Sequence, residues 1–150
     1  MVIDTFDNEY AFLSNFYASP IKDSDGKVYM TVEHYFQAMK TLDPVEREGI
    51  RLAATPGIAK RLGRTVKLRN DWEEVKNSVM YEAVLQKFSV DPYLKDKLLA
   101  TGEQALVEGN TWHDNTWGSC TCVKCQDIEG KNELGKILMK VREEIRNATI

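Results

Sequence analysis

The sequence predicts an α+β domain, mostly helical with a few short strands, and three observations carry that expectation. Apolar residues recur at helical spacing in several segments that have their own start and stop signals. Extended patterns are present but brief. No repeat, low-complexity tract or linker interrupts the 150 residues, so residues 1–150 are expected to form one compact domain.

The elements follow in chain order. Residues 2–6 and 10–17 read as short β or extended segments. Ser24–Asp25–Gly26 is a turn signal, and KVYMT after it is strand-like. Thr31 is placed to cap a helix running from Val32 to about Leu42, and Asp43–Pro44 breaks it or opens the next. Thr55–Pro56 is a helix start, because proline in the first helical position gives up no hydrogen bond, and Gly63 reads as the stop. Asp71 with Glu74 has capping-box spacing. Trp72, Val75, Val79, Met80, Val84 and Phe88 then mark the longest core helix. Asp91–Pro92 opens another helix that ends near Gly102, and QALVEG reads as one brief strand. Residues 113–131 read as a long loop. Asn132 is expected to cap a final amphipathic helix that buries Leu134, Ile137, Leu138, Val141 and Ile145.

Bulk properties remove several function classes. Hydrophobic residues make up 43% and charged residues 29%, which argues against disorder. A chain of this size buries roughly two thirds of its unfolded surface and needs no staple. A net charge of −3 gives no global pull toward nucleic acid or an anionic membrane. No apolar run approaches the roughly 20 residues of a membrane span. The N-terminal MVIDTFDNEY carries acids where a secretory signal would carry bases. The three cysteines, crowded into CTCVKC, do not suggest a disulfide framework, and a reducing cytoplasm is expected.

Chemistry concentrates in three places. In TVEHYFQAMK, Val32, Tyr35, Phe36 and Met39 form an apolar stripe, and Glu33, Gln37 and Lys40 form a polar one beside it. Positions seven apart on a helix differ by only about 20°. One reading is a solvated face of Glu, Gln and Lys. The other is a half-buried carboxylate and amine, able to activate water or to act as a nucleophile toward a sugar carbonyl. His34 reads as a packed, hydrogen-bonded side chain. In the second place, between Gly49 and Asn70, every charged residue is positive: Arg51, Lys60, Arg61, Arg64, Lys67 and Arg69. Either this is a phosphate-binding face, helped by the helix start at Thr55, or it balances acidic helices elsewhere.

The third is NTWHDNTWGSCTCVKC. Trp112 and Trp117 are costly to expose, so they are expected to pack on the body or stack on a ligand. Asp114 could hold a sugar hydroxyl or simply make a turn. His113, Cys120, Cys122 and Cys125 could supply four ligands to a structural zinc, although crowding all four into one short loop strains a closed tetrahedron. Three reduced thiols without a metal is the other reading.

Taken in order, FLSNFYASPI, VYMTVEHYFQAMK, AATPGIAKRLGR, the Trp72 to Phe88 pattern, LLATGEQALVE, HDNTWG and GKNELGKILMKVR resemble the NADAR family over nearly the whole chain. The resemblance implies a mostly helical α+β domain that cleaves N-glycosidic bonds. It implies as substrate ADP-ribose attached to guanine in nucleic acid or nucleotide or, alternatively, a small phosphorylated intermediate of riboflavin synthesis. No cofactor is required. Carried over by motif, the implied catalytic residues are Glu33, Lys40 and Asp114, with Asn15, Phe16, Gln37, Lys60, Arg64 and Trp117 binding substrate. The cysteine-bearing insertion after Trp117 is absent from shorter family members. Two non-enzymatic readings stand beside this one: a domain that binds ADP-ribose without cleaving it, and a zinc-stabilised nucleic-acid-binding module.

Overall fold

The computed structural model describes residues 1–148. Among the described residues there are six α-helices: α1 Val32–Ala38, α2 Pro44–Arg51, α3 Pro56–Gly63, α4 Trp72–Val90, α5 Pro92–Ala100 and α6 Glu133–Ala148. Six two-residue strands pair into three small sheets: β1 Val2–Ile3, β2 Ile21–Lys22, β3 Val28–Tyr29, β4 Ala105–Leu106, β5 Gly109–Asn110 and β6 Ser119–Cys120. The class is the α+β, mostly helical one that the periodicities predict. Among the described residues no helix is long and apolar enough to cross a membrane. Two units divide the chain, residues 15–87 and residues 1–14 with 88–150, and the division falls inside α4.

In the first unit, β2 and β3 make an antiparallel hairpin with Ile21 opposite Tyr29. Asp23 holds its turn: Oδ1 accepts from the Asp25 and Lys27 amides and Oδ2 from the Tyr29 hydroxyl. Three helices then start as their sequences dictate. Thr31 Oγ1 accepts from the His34 amide, Asp43 from the Val45 and Glu46 amides, and Thr55 from the Ile58 amide. Each such cap contributes about 1 kcal/mol. The first of them, α1, stops at Ala38, short of the predicted Leu42. There the Lys40 and Thr41 amides tighten into bonds three residues back, and the Thr41 hydroxyl accepts from the Asp43 amide and donates to Glu46. The polar hinge at Thr41 thus competes successfully with helix propagation. Phe36 and Trp72 meet at 5.0 Å between ring centroids and anchor a core with Val32, Ile50, Met80 and Val84. Burying each such side chain contributes roughly 1.5–3 kcal/mol. The capping box expected at Asp71 is replaced by an ion pair, in which that carboxylate accepts from Arg69 Nε at 2.6 Å and Nη2 at 3.1 Å.

In the second unit, β1 pairs in parallel with β4. The segment expected to be extended at 10–17 instead begins inside a 3-10 helix, Asn8–Leu13, which turns Phe12 and Leu13 inward. Phe12 packs edge-on against Phe88, 6.4 Å between centroids. The predicted face of α6 is buried in full: Leu134, Ile137, Leu138, Val141 and Ile145. Asn132 precedes that helix with φ +51°, but its amide reaches away, accepting from the Glu108 amide and donating to the Leu106 carbonyl. The predicted long loop is partly ordered: β6 pairs in parallel with β5, and Val123–Cys125 forms a 3-10 turn.

Candidate active site

Helix α1 carries polar side chains on buried faces. Glu33 is 7% exposed, Gln37 4% and His34 2%, so the solvated-stripe reading fails for all but Lys40, which is half-buried. Gln37 Nε2 donates to Glu33 Oε2 at 2.7 Å. Its other amide atom, Oε1, is buried without a hydrogen-bond partner and lies against Gly63 of α3. A Cβ at position 63 would stand 1.9 Å from that oxygen, so glycine is what allows α3 to pack on α1 here. The Asn15 carbonyl accepts from the Glu33 amide at 3.1 Å, which ties the LSNFY segment to the start of α1. The Asn15 side chain donates to Met80 Sδ, and Phe16 next to it is exposed.

Lys40 sits 5.8 Å from the Phe36 ring centroid. Burial lowers its pKa below the usual lysine value; Glu33 opposes that shift, and Arg64 and Lys60 reinforce it. Glu33, Lys40, Lys60 and Arg64 therefore share one electrostatic neighbourhood. The basic segment itself divides in two. Arg51 pairs with Glu48, and Arg69 with Asp71. The side chains of Arg61, Arg64 and Lys67 form no ion pair among the described residues, although the Lys67 amide donates to the Glu46 carboxylate. His34 is structural as expected: Nδ1 lies 2.8 Å from Thr31 Oγ1 and Nε2 3.0 Å from the Ala53 carbonyl. A hollow of about 410 Å³ in the same unit opens among Asp23, Tyr35, Arg47, Glu82 and Gln86 and touches none of the candidate side chains.

Lys87 was not singled out by the sequence reading. It is 1% exposed, its Nζ lies 5.5 Å from the Tyr17 ring centroid, and burial lowers its pKa to about 7. The signal was available, because Lys87 falls three and seven residues after the core positions Val84 and Met80.

The remaining candidates belong to the other unit. Asp114 Oδ1 accepts from the Thr116 amide at 3.1 Å and the Trp117 amide at 2.8 Å, the turn-forming role weighed above. Asn110 clamps the same residue, donating to its carbonyl and accepting from its amide. Trp117 is half-buried, whereas Trp112 is 56% exposed, which leaves its face open to a stacking ligand. His113, Cys120, Cys122 and Cys125 converge, each with one ligand atom within 4.8 Å of the others, and could hold a metal ion. All three cysteines are free thiols.

A helical α+β chain with a buried, amide-tethered carboxylate beside a partly desolvated lysine has the equipment of a hydrolase. Comparison with known proteins gives that class its identity. The NADAR domain family model matches residues 3–146, and the chain belongs to that family. It is 45% identical over 140 residues to the N-glycosidase YbiA of Escherichia coli, covering 92% of this chain and 83% of that protein. An N-glycosidase of Nostoc punctiforme is 46% identical over 143 residues, covering 92% and 87%. The chloroplastic riboflavin biosynthesis protein PYRR of Zea mays is 40% identical over 138 residues, covering 84% of this chain and 21% of that one. The NMR structure of E. coli YbiA superposes with a TM-score of 0.84 at 40% identity, covering 99% of this chain and 86% of that one. The protein is an enzyme, a hydrolase acting on N-glycosyl bonds.

Proposed function

We propose that the enzyme releases ADP-ribose from guanine in nucleic acid or nucleotide by hydrolysing the ribose–nitrogen bond. One observation carries the reading: Glu33, held by Gln37, lies in the same neighbourhood as Lys40 and as the cations of α3. Breaking the bond builds positive charge on the anomeric carbon and ring oxygen, and the base leaves with the bonding electrons and takes up a proton. A buried carboxylate stabilises that charge and accepts a proton from the attacking water. Lys40, its amine made more available by burial, offers a second route. It adds to the anomeric carbon of the ring-opened, base-linked iminium, the base departs with the bonding electrons and takes up the proton lysine gives up, and water then hydrolyses the resulting lysine imine to restore the amine and release the sugar aldehyde. Every step uses side chains and water. A zinc in the cysteine cluster would be structural.

Lys60, Arg61, Arg64 and Lys67 suit a diphosphate better than a single phosphate, since Arg grips each phosphate with paired donors. Asn15 and Phe16 complete the substrate-binding set in this unit, and Gln37 acts through Glu33. Asp114 and Trp117 are proposed, from the family motif alone, to hold the ribose hydroxyls and to stack on the base. The same reading assigns the enzyme to the reducing cytoplasm. A second reading, cleavage of a phosphorylated riboflavin intermediate, is favoured by the name of the maize relative. Incubation with ADP-ribosylated guanine DNA and, separately, with riboflavin intermediates, followed by mass spectrometry, tests the two. Free ADP-ribose and restored guanine are expected; intact adduct alongside cleaved flavin precursor would replace the first reading by the second.

A further inference from the structure

We propose that His113, Cys120, Cys122 and Cys125 bind one zinc ion that orders the loop of residues 121–131. The geometry is the first ground. The three sulfurs surround a single nitrogen: His113 Nδ1 lies 3.3 Å from Cys122 Sγ, 3.4 Å from Cys125 Sγ and 3.9 Å from Cys120 Sγ. In a tetrahedron with Zn–S of about 2.3 Å and Zn–N of about 2.0 Å, the N···S edge is about 3.5 Å. The observed edges bracket that value.

The backbone is the second ground. Crowding four ligands into one short loop looks strained from the sequence, and the structure shows how the strain is accommodated. His113 adopts φ +68°, a left-handed conformation uncommon outside glycine, though histidine is among the residues that enter it most readily. Cys120 ends β6, which is fixed beside β5, with its amide donating to Asn115 Oδ1. Cys122 precedes and Cys125 ends a 3-10 turn closed by the Cys125 amide on the Cys122 carbonyl. The ligands therefore come from separately anchored pieces of backbone.

The third ground is what the insertion lacks. Across residues 121–130 the only buried residue is Cys125. Val123 is 81% exposed and Ile128 52%. A segment with no apolar core of its own needs another source of order, and metal coordination supplies it in small domains. Three thiolates and an imidazole in a tetrahedron select zinc over the hard cations magnesium and calcium. Four protein ligands leave no open position, so the site is structural.

The test is metal content, and its outcome does not depend on the glycosidase reading. Protein purified without added metal is expected to carry about one zinc per chain by plasma mass spectrometry, and cobalt exchange should give tetrahedral d–d bands with thiolate charge transfer. The C122S/C125S double variant should lose more than about nine tenths of the metal. Its helical circular dichroism should persist, and amide exchange should accelerate only around residues 110–131. If that variant fails to fold, chelation of the wild-type chain gives the same readouts. Metal-free protein with three freely reactive thiols, a disulfide among them, or stoichiometric iron or copper in place of zinc would each overturn the assignment.

Discussion

Helix α1 and the cysteine loop spend their burial in opposite ways. The helix hides polar groups: Glu33, His34 and Gln37 are all buried, in a seven-residue element that has Val32, Phe36 and Ala38 to bury as well. The loop exposes apolar ones, Trp112, Val123 and Ile128, and inside the insertion it buries little besides sulfur. Burying a polar group costs free energy unless a partner replaces water. The helix meets that cost with designed partners, such as Gln37 for Glu33 and Thr31 and Ala53 for His34. For His34 those bonds are structural, and for Glu33 and Gln37 the cost is what the proposed catalytic role would require. The loop shows no such investment, and its convergent feature is a ligand set.

The sharpest way to break this contrast is to remove the charge at its centre. Glu33→Gln should lower kcat by about 100-fold or more, the usual contribution of a positioned acid or base, while substrate binding stays within a few-fold. Turnover rates for the two proteins, measured on whichever substrate the mass-spectrometric test shows to be cleaved, decide it. Undiminished turnover would make Glu33 a structural group and leave α1 without a catalytic role.

Lys87 extends the comparison to stability. Its pKa falls from the ordinary 10.5 to about 7 on folding. Between these values the unfolded chain holds the proton and the folded chain does not, so stability rises with pH across that window. The gain is complete above about 10.5 and is lost as pH falls to about 7. Lys87→Met should flatten this slope and stabilise the protein near neutrality by an amount on the order of a few kcal/mol. Urea unfolding at several pH values measures both. If the slope persists in the variant, another group is responsible.

Gly63→Ala probes how Glu33 is held. The new Cβ would overlap Gln37 Oε1 and crowd its Cδ at 2.8 Å, so Gln37 must swing away from Glu33. A stability loss of about 1–3 kcal/mol is expected, with a fall in turnover. The G63A/Q37A double variant relieves the overlap, and it should recover stability without recovering turnover. Recovery of both would mean that Gln37 does not position Glu33.

How far this site was legible follows from which signals are local. Caps and breakers are short-range, so Thr31, Asp43–Pro44, Thr55–Pro56 and Asp91–Pro92 opened helices where the sequence says they should. The Glu33, Gln37, Lys40 stripe was also readable, because helical phase fixes it. Its burial was not, because that depends on α3 arriving against α1 through a glycine 26 positions further on from Gln37. Lys87 was hidden by a habit of reading lysine as surface. Residues 10–17 were misread since alternating aromatics suit a strand and a 3-10 turn alike, and the packing of Phe12 on Phe88 decides between them. For the cysteines, spacing gave the ligand set, and the left-handed turn at His113 that brings them together had no sequence signature.

The smallest expected effect separates the two regions by charge. Lys60 and Arg64 lie near Lys40 on α3, whereas Lys124 is exposed in the cysteine loop. If α3 holds phosphate, the K60A/R64A variant should raise KM about tenfold, since one charge-assisted hydrogen bond contributes roughly 1.5–3 kcal/mol and solvent screens part of it. Its KM should also respond less to added salt than that of the wild type, because fewer charges remain to be screened. Lys124→Ala removes one cation from the chain as well and should leave both quantities unchanged. Steady-state kinetics over a range of sodium chloride concentrations compares the three proteins directly. Equal behaviour of K60A/R64A and wild type would return the whole basic segment to a solvated face, and an effect of Lys124→Ala of similar size would mean that net charge, rather than the position of charge on α3, governs substrate capture.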